Sequence, residues 1–406
     1  MKISSPLVLA SLSLIFLLRC GLSLITFNPD SYNNFAWMDS VEQHGWSGLI
    51  DRPMGNWAAV NYPPLTLYSF FMAEKAFQFL PHSWQFIEVR AAFYKIPSLL
   101  ADVMIAWLIW KFAPYTQKWR LVTMAVFLLN PGLFYNSIWW GQIESWAALW
   151  CIAVTFLIAR HQTIWAVPLI TIALLCKQNA APLILLILIY LWIDRPAIKK
   201  LLAVFLLSVS LFWLSYLPLM KAGDTIIFPF LTYINSLAGQ PHQHIASANA
   251  LNWWYLIGLN NQSDTGIRLW GWIMTFSFLG LVGWLIKINK LDRYSQVWIM
   301  AAAIFLTTFI FMTRMHERHI YMSIAMLTIL LPYFKKQMLF LFSLLSLIGW
   351  YSLHVVWAET MTHPPVSIYI WQSWTKFLAG WVILISLGLP LLLIKEAASY
   401  KKSTDN

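Results

Sequence analysis

The chain has 406 residues, 60% of them hydrophobic and 11% charged, with a formal net charge of +11. Soluble domains carry roughly 25% charged residues, so this composition excludes a soluble globular protein. Lys and Arg are dispersed between apolar runs, which excludes a nucleic-acid partner; a basic total is instead what Lys- and Arg-rich cytoplasmic loops produce. Cys20, Cys151 and Cys176 all lie inside apolar runs, with neither a disulfide framework nor metal-ligand spacing.

The apolar runs recur at about 15 to 22 residues, near the ~20 that a helix needs to cross a bilayer. They do not alternate as barrel strands would. The expected fold is therefore all-α and polytopic, with about 12 spans in a single domain over residues 1–406. Lys2 and the apolar run 6–27, interrupted by Arg19, read as a retained signal anchor with its N-terminus inside. Residues 28–90 then lie outside. Asp30, Asp39, Glu42, Asp51, Glu74 and Glu88 there outnumber Arg52, Lys75 and Arg90.

Within that loop, residues 62–80 are apolar but carry Pro63-Pro64, Glu74 and Lys75. They are expected as a helix lying in the outer interface, since a crossing would put the Lys111–Arg120 cluster outside. Further spans are expected near 91–111, 119–137, 142–160, 200–219, 266–286, 295–313, 319–334, 337–358 and 374–394. The short pair 163–177 and 179–193 reads as a broken hairpin turning near Lys177. The alternation leaves Lys111, Lys118, Arg120, Arg160, Arg195, Lys199, Lys200, Lys287, Lys290, Arg293, Lys335, Lys336 and Lys395 inside, as the positive-inside tendency requires. Residues 221–265 form a second exterior loop.

Polar residues at membrane depth are costly and mark function, and here they collect at the outer turns. Asp30 follows the first span. Trp140, Gln142 and Glu144 sit in "WWGQIES", Lys177, Gln178 and Asn179 at the hairpin tip, and Asn249 and Asn252 in "SANALNWW". Arg314, His316, Glu317, Arg318 and His319 form "RMHERH". Plainer readings stand beside these. Asp30 would also cap a helix starting at Ser31, and Glu144 would pair with Lys177. Asp39, Glu42 and Asp51 read as solvated charges, Trp139-Trp140 as an interfacial anchor and Pro63-Pro64 as a rigid turn. The His-Glu-Arg-His cluster points to bound phosphate or a proton network, because an Arg fork binds two phosphate oxygens and keeps its charge. An acid beside it can take a proton from an acceptor hydroxyl. The implied chemistry is transfer from a lipid phosphate. No DxD, zinc-ligand or nucleotide-cradling glycine motif is present, so no metal or other cofactor is expected.

The motifs "PDSYNNFAW", "EQHGWSGL", "NYPPLTLY", "NPGLFYNSIWWGQIES", "KQ" at 177–178, "ANALNWW" and "MHERHIY" together resemble the GT-C superfamily of polyprenyl-phosphate-sugar-dependent glycosyltransferases. The chain looks closest to the bacterial group similar to the second mannosyltransferase of GPI-anchor assembly, with some similarity to the ER glucosyltransferases of lipid-linked oligosaccharides. The resemblance covers residues 28 to about 321. It implies inverting transfer of a hexose, mannose or glucose, from a polyprenyl-phosphate sugar to a glycan, lipid or protein acceptor. The site would face the non-cytoplasmic side of a membrane, here the bacterial plasma membrane. It implies Asp30 as base, with His316, Glu317 and Arg318 near the donor phosphate.

Arg314, Lys177 and His319 are expected to join Arg318 and His316 at that phosphate, and Glu317, Glu144, Gln142, Asn61 and Asn252 to support them. Three departures stand out. Asn61 occupies the place of an acid in the ER enzymes, His319 stands where related chains often have Tyr, and Lys177-Gln178 replaces Lys-Pro-Gln. The competing readings are a transporter or flippase of lipid-linked sugars, a polymerase or ligase of lipid-linked glycans, and a non-catalytic assembly subunit.

Overall fold

The computed structural model describes residues 4–28, 30–50, 59–238, 244–361 and 368–404. The apolar runs form helices, which satisfy their own backbone where water is scarce. In chain order these are α1 (Ser5–Ser23), α2 (Asp30–His44), α3 (Pro64–Gln78), α4 (Ile87–Phe112), α5 (Gln117–Leu129) and α6 (Pro131–Phe134). There follow α7 (Glu144–Ala159), α8 (Thr163–Cys176), α9 (Ile184–Asp194), α10 (Ile198–Tyr216), α11 (Phe228–Ala238) and α12 (Trp253–Leu256). The last are α13 (Arg268–Ile288), α14 (Arg293–Phe311), α15 (Ile320–Ile329), α16 (Lys336–Met361) and α17 (Ile368–Thr404). Among the described residues, the strands are β1 (Ser247–Ala248) and β2 (Met315–His316), paired in parallel. The class is all-α, as expected.

Seven of the described helices, α1, α4, α10, α13, α14, α16 and α17, are long and apolar enough to cross a membrane. An eighth candidate joins α5 to residues 131–140 with a bend of 49°. Pro131 causes that bend, since it cannot donate to the preceding turn. The remaining expected spans are shorter. α7, α8 and the segment Gln178–Asp194 are apolar but below spanning length. The segment expected at 319–334 contains the ten-residue α15, buried along its whole length. Apolar character there comes from packing inside the protein as much as from lipid.

α14 and α15 form the centre, with Val297, Trp298, Ile304, Leu306, Ile324 and Leu327 at 0–1% exposure. By contrast α1, α10 and α13 expose Leu17, Leu18, Phe205, Leu206, Trp270 and Phe276. An apolar rim around a packed centre is what a lipid solvent permits.

Buried polar contacts tie the helices together. Arg19 on α1 pairs with Asp102 on α4 at 2.6 Å and donates to the carbonyl of Leu128 on α5. Tyr321 on α15 donates to the other Asp102 oxygen at 2.5 Å. At the far end of the bundle, Arg293 holds Asp194 through two bonds of 2.6 Å and donates to Ile158 O and Thr163 Oγ1. Thr163 begins α8 and Asp194 ends α9, and the two are hydrogen-bonded. The expected hairpin is therefore closed at its base and broken at Lys177, whose backbone is extended (φ −158°, ψ 138°).

The acidic first loop is more structured than a solvated loop. Arg90 bridges Asp39 at 2.5 Å and Glu74 at 2.8 Å, and Lys75 pairs with Glu42 at 2.7 Å. Asp39 and Glu42 keep solvent access, as expected of solvated loop charges, while pairing with Arg90 and Lys75; Asp51 lies outside the described residues. α3 turns Leu67, Phe70, Ala73 and Phe77 inward and packs on α4 and α8. Its apolar face is thus covered by protein.

Removing one partner of a buried pair strands the other charge, which costs about 3–5 kcal/mol. Asp102→Leu should therefore destabilise the chain by about that much in detergent. The double variant Arg19→Met/Asp102→Leu should recover most of the loss. Thermal unfolding of the three proteins checks this, and an unchanged Tm in Asp102→Leu would show the pair to be structurally idle.

Candidate functional site

The site is built from breaks in helices. After α6 the chain makes a π-helical turn, Tyr135–Trp140, a form that recurs at functional sites. Thr26 Oγ1 donates to Ile138 O at 3.0 Å and Asn28 Nδ2 to Trp140 O at 3.1 Å, binding this turn to the segment after α1. Gly141 follows with φ +76°, and a Cβ there would lie 2.8 Å from Lys95 Cγ. Only glycine admits both the backbone angle and that close approach. Lys95 itself donates to Thr26 O at 2.7 Å and Thr26 Oγ1 at 2.6 Å.

That arrangement aims Trp140 and Gln142 at Asp30. Trp140 Nε1 donates to Asp30 Oδ2 at 3.1 Å and Gln142 Nε2 to the same oxygen at 2.9 Å. Tyr62 OH donates to Gln142 Oε1 at 3.4 Å, setting which way the amide faces. Asp30 is exposed, and its Oδ1 accepts no hydrogen bond among the described residues. The capping reading of Asp30 gives way to a different cap: Asn28 Oδ1 accepts from Asp30 N at 2.8 Å. Trp140 is 3% exposed, which corrects its reading as an interfacial anchor.

A second group forms where α7 and α15 begin and α8 ends. Glu144, 0% exposed, pairs with Lys177. It lies 3.6 Å from Arg318 Nε and accepts from Asn136 Nδ2 at 3.4 Å. Arg318 Nη1 donates to Glu317 Oε1 at 3.1 Å. Lys177 also stands 5.3 Å over the Tyr62 ring. His319 Nδ1 accepts from His316 N at 3.2 Å, which folds residues 317–319 into a single 3₁₀ turn.

The loop 244–267 secures this motif from above. β1 pairs with β2, and Arg314 N donates to Ile245 O at 3.0 Å. Arg314 Nε donates to Asp264 Oδ2 at 2.7 Å. Asn252 caps α12 by accepting from Tyr255 N at 3.0 Å, while Trp254 Nε1 donates to Phe311 O at 2.7 Å. "ANALNWW" is thus a clamp on the end of α14. Asn252 serves that clamp and does not line the cavities around Asp30 and Arg318.

Two cavities meet here. The larger, about 640 Å³, carries Lys177, Gln178, Arg314, His316, Arg318 and His319 at its polar end. Its walls are apolar, from Leu185, Leu188, Trp272, Phe276, Leu279 and Phe305. The smaller, about 100 Å³, is polar and holds Asp30, Asn34, Trp140 and Gln142. Asn61, Tyr62 and Arg318 line both.

Each cation expected at a phosphate already has an acidic neighbour: Arg314 has Asp264, Lys177 has Glu144, and Arg318 has Glu317 and Glu144. Burial pushes the Glu317 carboxyl above its ordinary range despite Arg318. It holds the His316 and His319 rings well below theirs, with neighbouring cations adding to the effect. Neutral imidazoles can still donate N–H bonds to an anion. Among the described residues, no group of three or more His, Cys, Asp or Glu is placed to hold a metal ion.

The structure brings Asp30 and Gln142 together in the smaller cavity and Lys177, Arg314, His316 and His319 in the larger, with Asn61 and Arg318 lining both and Glu144 buried against Lys177. Sequence reasoning passed over Tyr62, Asn28 and Lys95. Asn28 had a readable signal, being a strong cap residue just before a helix start. Tyr62 had one too, standing inside the "NYPPLTLY" motif beside Asn61, but composition and periodicity do not single it out among 16 Tyr. No family model matches the chain, and a search of curated proteins finds no match.

The two histidines generate a pH prediction. An unfolded chain charges His near pH 6.5, whereas burial beside Arg318 and Lys177 disfavours the charged form of both rings in the folded one. A depressed folded pKa means that stability is full above about pH 6.5 and falls as pH drops, because the unfolded state then takes up protons the folded state refuses. His316→Asn/His319→Asn should therefore lose less Tm than the parent between about pH 7.5 and 5.5. Glu317 acts in the opposite sense but is common to both proteins. Equal losses would show that the rings are not held neutral.

Proposed function

We propose that the chain is a membrane glycosyltransferase of GT-C type, akin to the bacterial group similar to the second GPI mannosyltransferase. In this reading it moves a hexose, mannose or glucose, from a polyprenyl-phosphate sugar to an acceptor hydroxyl with inversion. The observation that carries the proposal is the junction of the two cavities at Arg318 and Tyr62. A long apolar wall ending in cations suits a lipid chain ending in phosphate. A small polar chamber with a half-free carboxylate suits a hydroxyl to be deprotonated.

The chemistry follows from those positions. Asp30 Oδ1 takes the acceptor proton while Trp140 and Gln142 hold Oδ2. The acceptor oxygen bonds to the anomeric carbon from the face opposite the phosphate. The bond from that carbon to the phosphate oxygen breaks, and the electron pair leaves with polyprenyl phosphate. Arg318 Nη2 makes no hydrogen bond among the described residues and is a donor for that oxygen. Lys177 and the two imidazoles complete the electrostatic support.

The proposed topology has about 12 spans, counting the short buried segments, with the site facing out of a bacterial plasma membrane. Lys111, Arg160, Arg195, Lys199, Lys287 and Arg293 terminate helices at the end opposite Asp30. That bias supports an outward site.

Purified protein incubated with radiolabelled polyprenyl-phosphate mannose or glucose should release or transfer the sugar. Asp30→Asn should lower turnover by about 10²-fold or more while still binding donor. Arg318→Gln should lower it about 10²- to 10³-fold. Full activity in Asp30→Asn would sink the assignment. Movement of intact donor across liposome membranes, unaffected by either change, would instead identify a carrier.

A further inference from the structure

A third cavity, of about 450 Å³, opens beside the first two. It lies between α11, the end of α10 and the residues leading into α3, and it shares Asn61 and Tyr62 with both of its neighbours. Its size falls within the roughly 300–1,000 Å³ of small-ligand sites. The polar chamber around Asp30, at about 100 Å³, has room for a reacting hydroxyl but not for the molecule that bears it. We infer that the third cavity is the acceptor cleft and that its ligand is a neutral glycan, at least a disaccharide, and not a phosphorylated lipid.

The lining supports that chemical class. Tyr216 and Phe228 supply aromatic surface, and Asp224, Thr232, Asn235 and Ser236 supply hydrogen-bonding groups. Such a mixture of flat apolar faces and donor–acceptor side chains fits the alternating C–H and O–H surface of a sugar. Among the described residues, the charged side chain lining the cleft is that of Asp224, and a carboxylate there disfavours an anion. The large cavity differs on both counts, with mainly apolar walls and a cationic end.

α11 explains how the cleft is formed. Thr232, Asn235 and Ser236 stand three and four residues apart, which places them on one helical face. Phe230 and Ile234 are exposed away from it, at 38% and 56%. An amphipathic helix at a membrane turns its apolar face to lipid, and the polar face of α11 meets an open cavity. Ser236 Oγ donates to Asn61 O at 3.0 Å, and Gln178 Nε2 to the same carbonyl at 2.9 Å. Those bonds tie the cleft wall to the hairpin tip that carries Lys177.

The inference rests on the proposed glycosyltransferase reading for the word acceptor, but glycan binding is measurable without turnover. Saturation-transfer NMR on the full chain in nanodiscs, with mannobiose, maltose and glycerol phosphate as probes, tests it directly. The disaccharides should receive saturation and glycerol phosphate should not displace them. Thr232→Leu/Asn235→Leu, which fills the cleft, should weaken disaccharide binding at least tenfold.

Asn235→Cys gives a second readout, since saturating disaccharide should slow maleimide labelling at that position severalfold. No disaccharide binding, equal binding by the filled variant, or unprotected labelling would each overturn the cleft. Absence of any donor turnover in the parent protein would sink the glycosyltransferase reading instead, leaving the glycan result to stand or fall by itself.

Discussion

Inside a bilayer every backbone N–H and C=O must find its partner within the protein, and a helix is the way a single segment does so. That constraint governs where this chain can keep polar chemistry. Interruptions are tolerated only where neighbouring protein satisfies the freed groups, and the candidate site is assembled from such interruptions. They are the π-turn ending at Trp140, the extended Lys177 between α8 and its 3₁₀ turn, and the short run from Met312 to His319. Each releases side chains at the same end of the bundle. Each is secured by specific bonds: Thr26 and Asn28 to the π-turn, Thr66 to Cys176 O beside Lys177, and Ile245 and β1 to the histidine motif.

Charge is handled in two ways. Away from the site, Arg19–Asp102–Tyr321 and Arg293–Asp194 are closed sets whose donors and acceptors face each other across helices. Breaking such a pair costs more than forming it gains, because the charge left behind stays buried. Within the site, by contrast, satisfaction is incomplete. Asp30 keeps one oxygen unbonded, and Arg318 has a buried Nε without a hydrogen-bond partner. Groups left short in this way, at the meeting point of two cavities, are what a bound ligand would complete.

Much of this was legible in the sequence, and the reasons are local. Runs of apolar residues without alternation mark helices in lipid, and the break at Lys177 follows from a polar triplet between two short apolar runs. The polar motifs stood out because charge is rare in this composition. What stayed hidden was pairing. Asp264 lies some fifty residues before Arg314, and Asp39 fifty-one before Arg90; no periodicity connects residues so far apart. Asn252 looked like part of the site because its motif is distinctive, yet it caps a helix that holds α14. Hydropathy likewise does not separate a segment covered by lipid from one covered by protein, as α15 is.

By itself, then, the sequence determined the membrane class, the all-helical fold and the set of polar residues from which a site can be made. It did so because the energies involved, apolar transfer and backbone desolvation, depend on composition and short-range pattern. The tertiary structure alone decided which of those residues face one another. It set Asp30 against Trp140 and Gln142, gave every cation of the site an acidic neighbour, and left Tyr62 and Asn61 at the junction of three cavities. Those outcomes depend on how helices pack over long sequence separations, where side-chain volume and hydrogen-bond geometry choose among arrangements that hydropathy treats as equal.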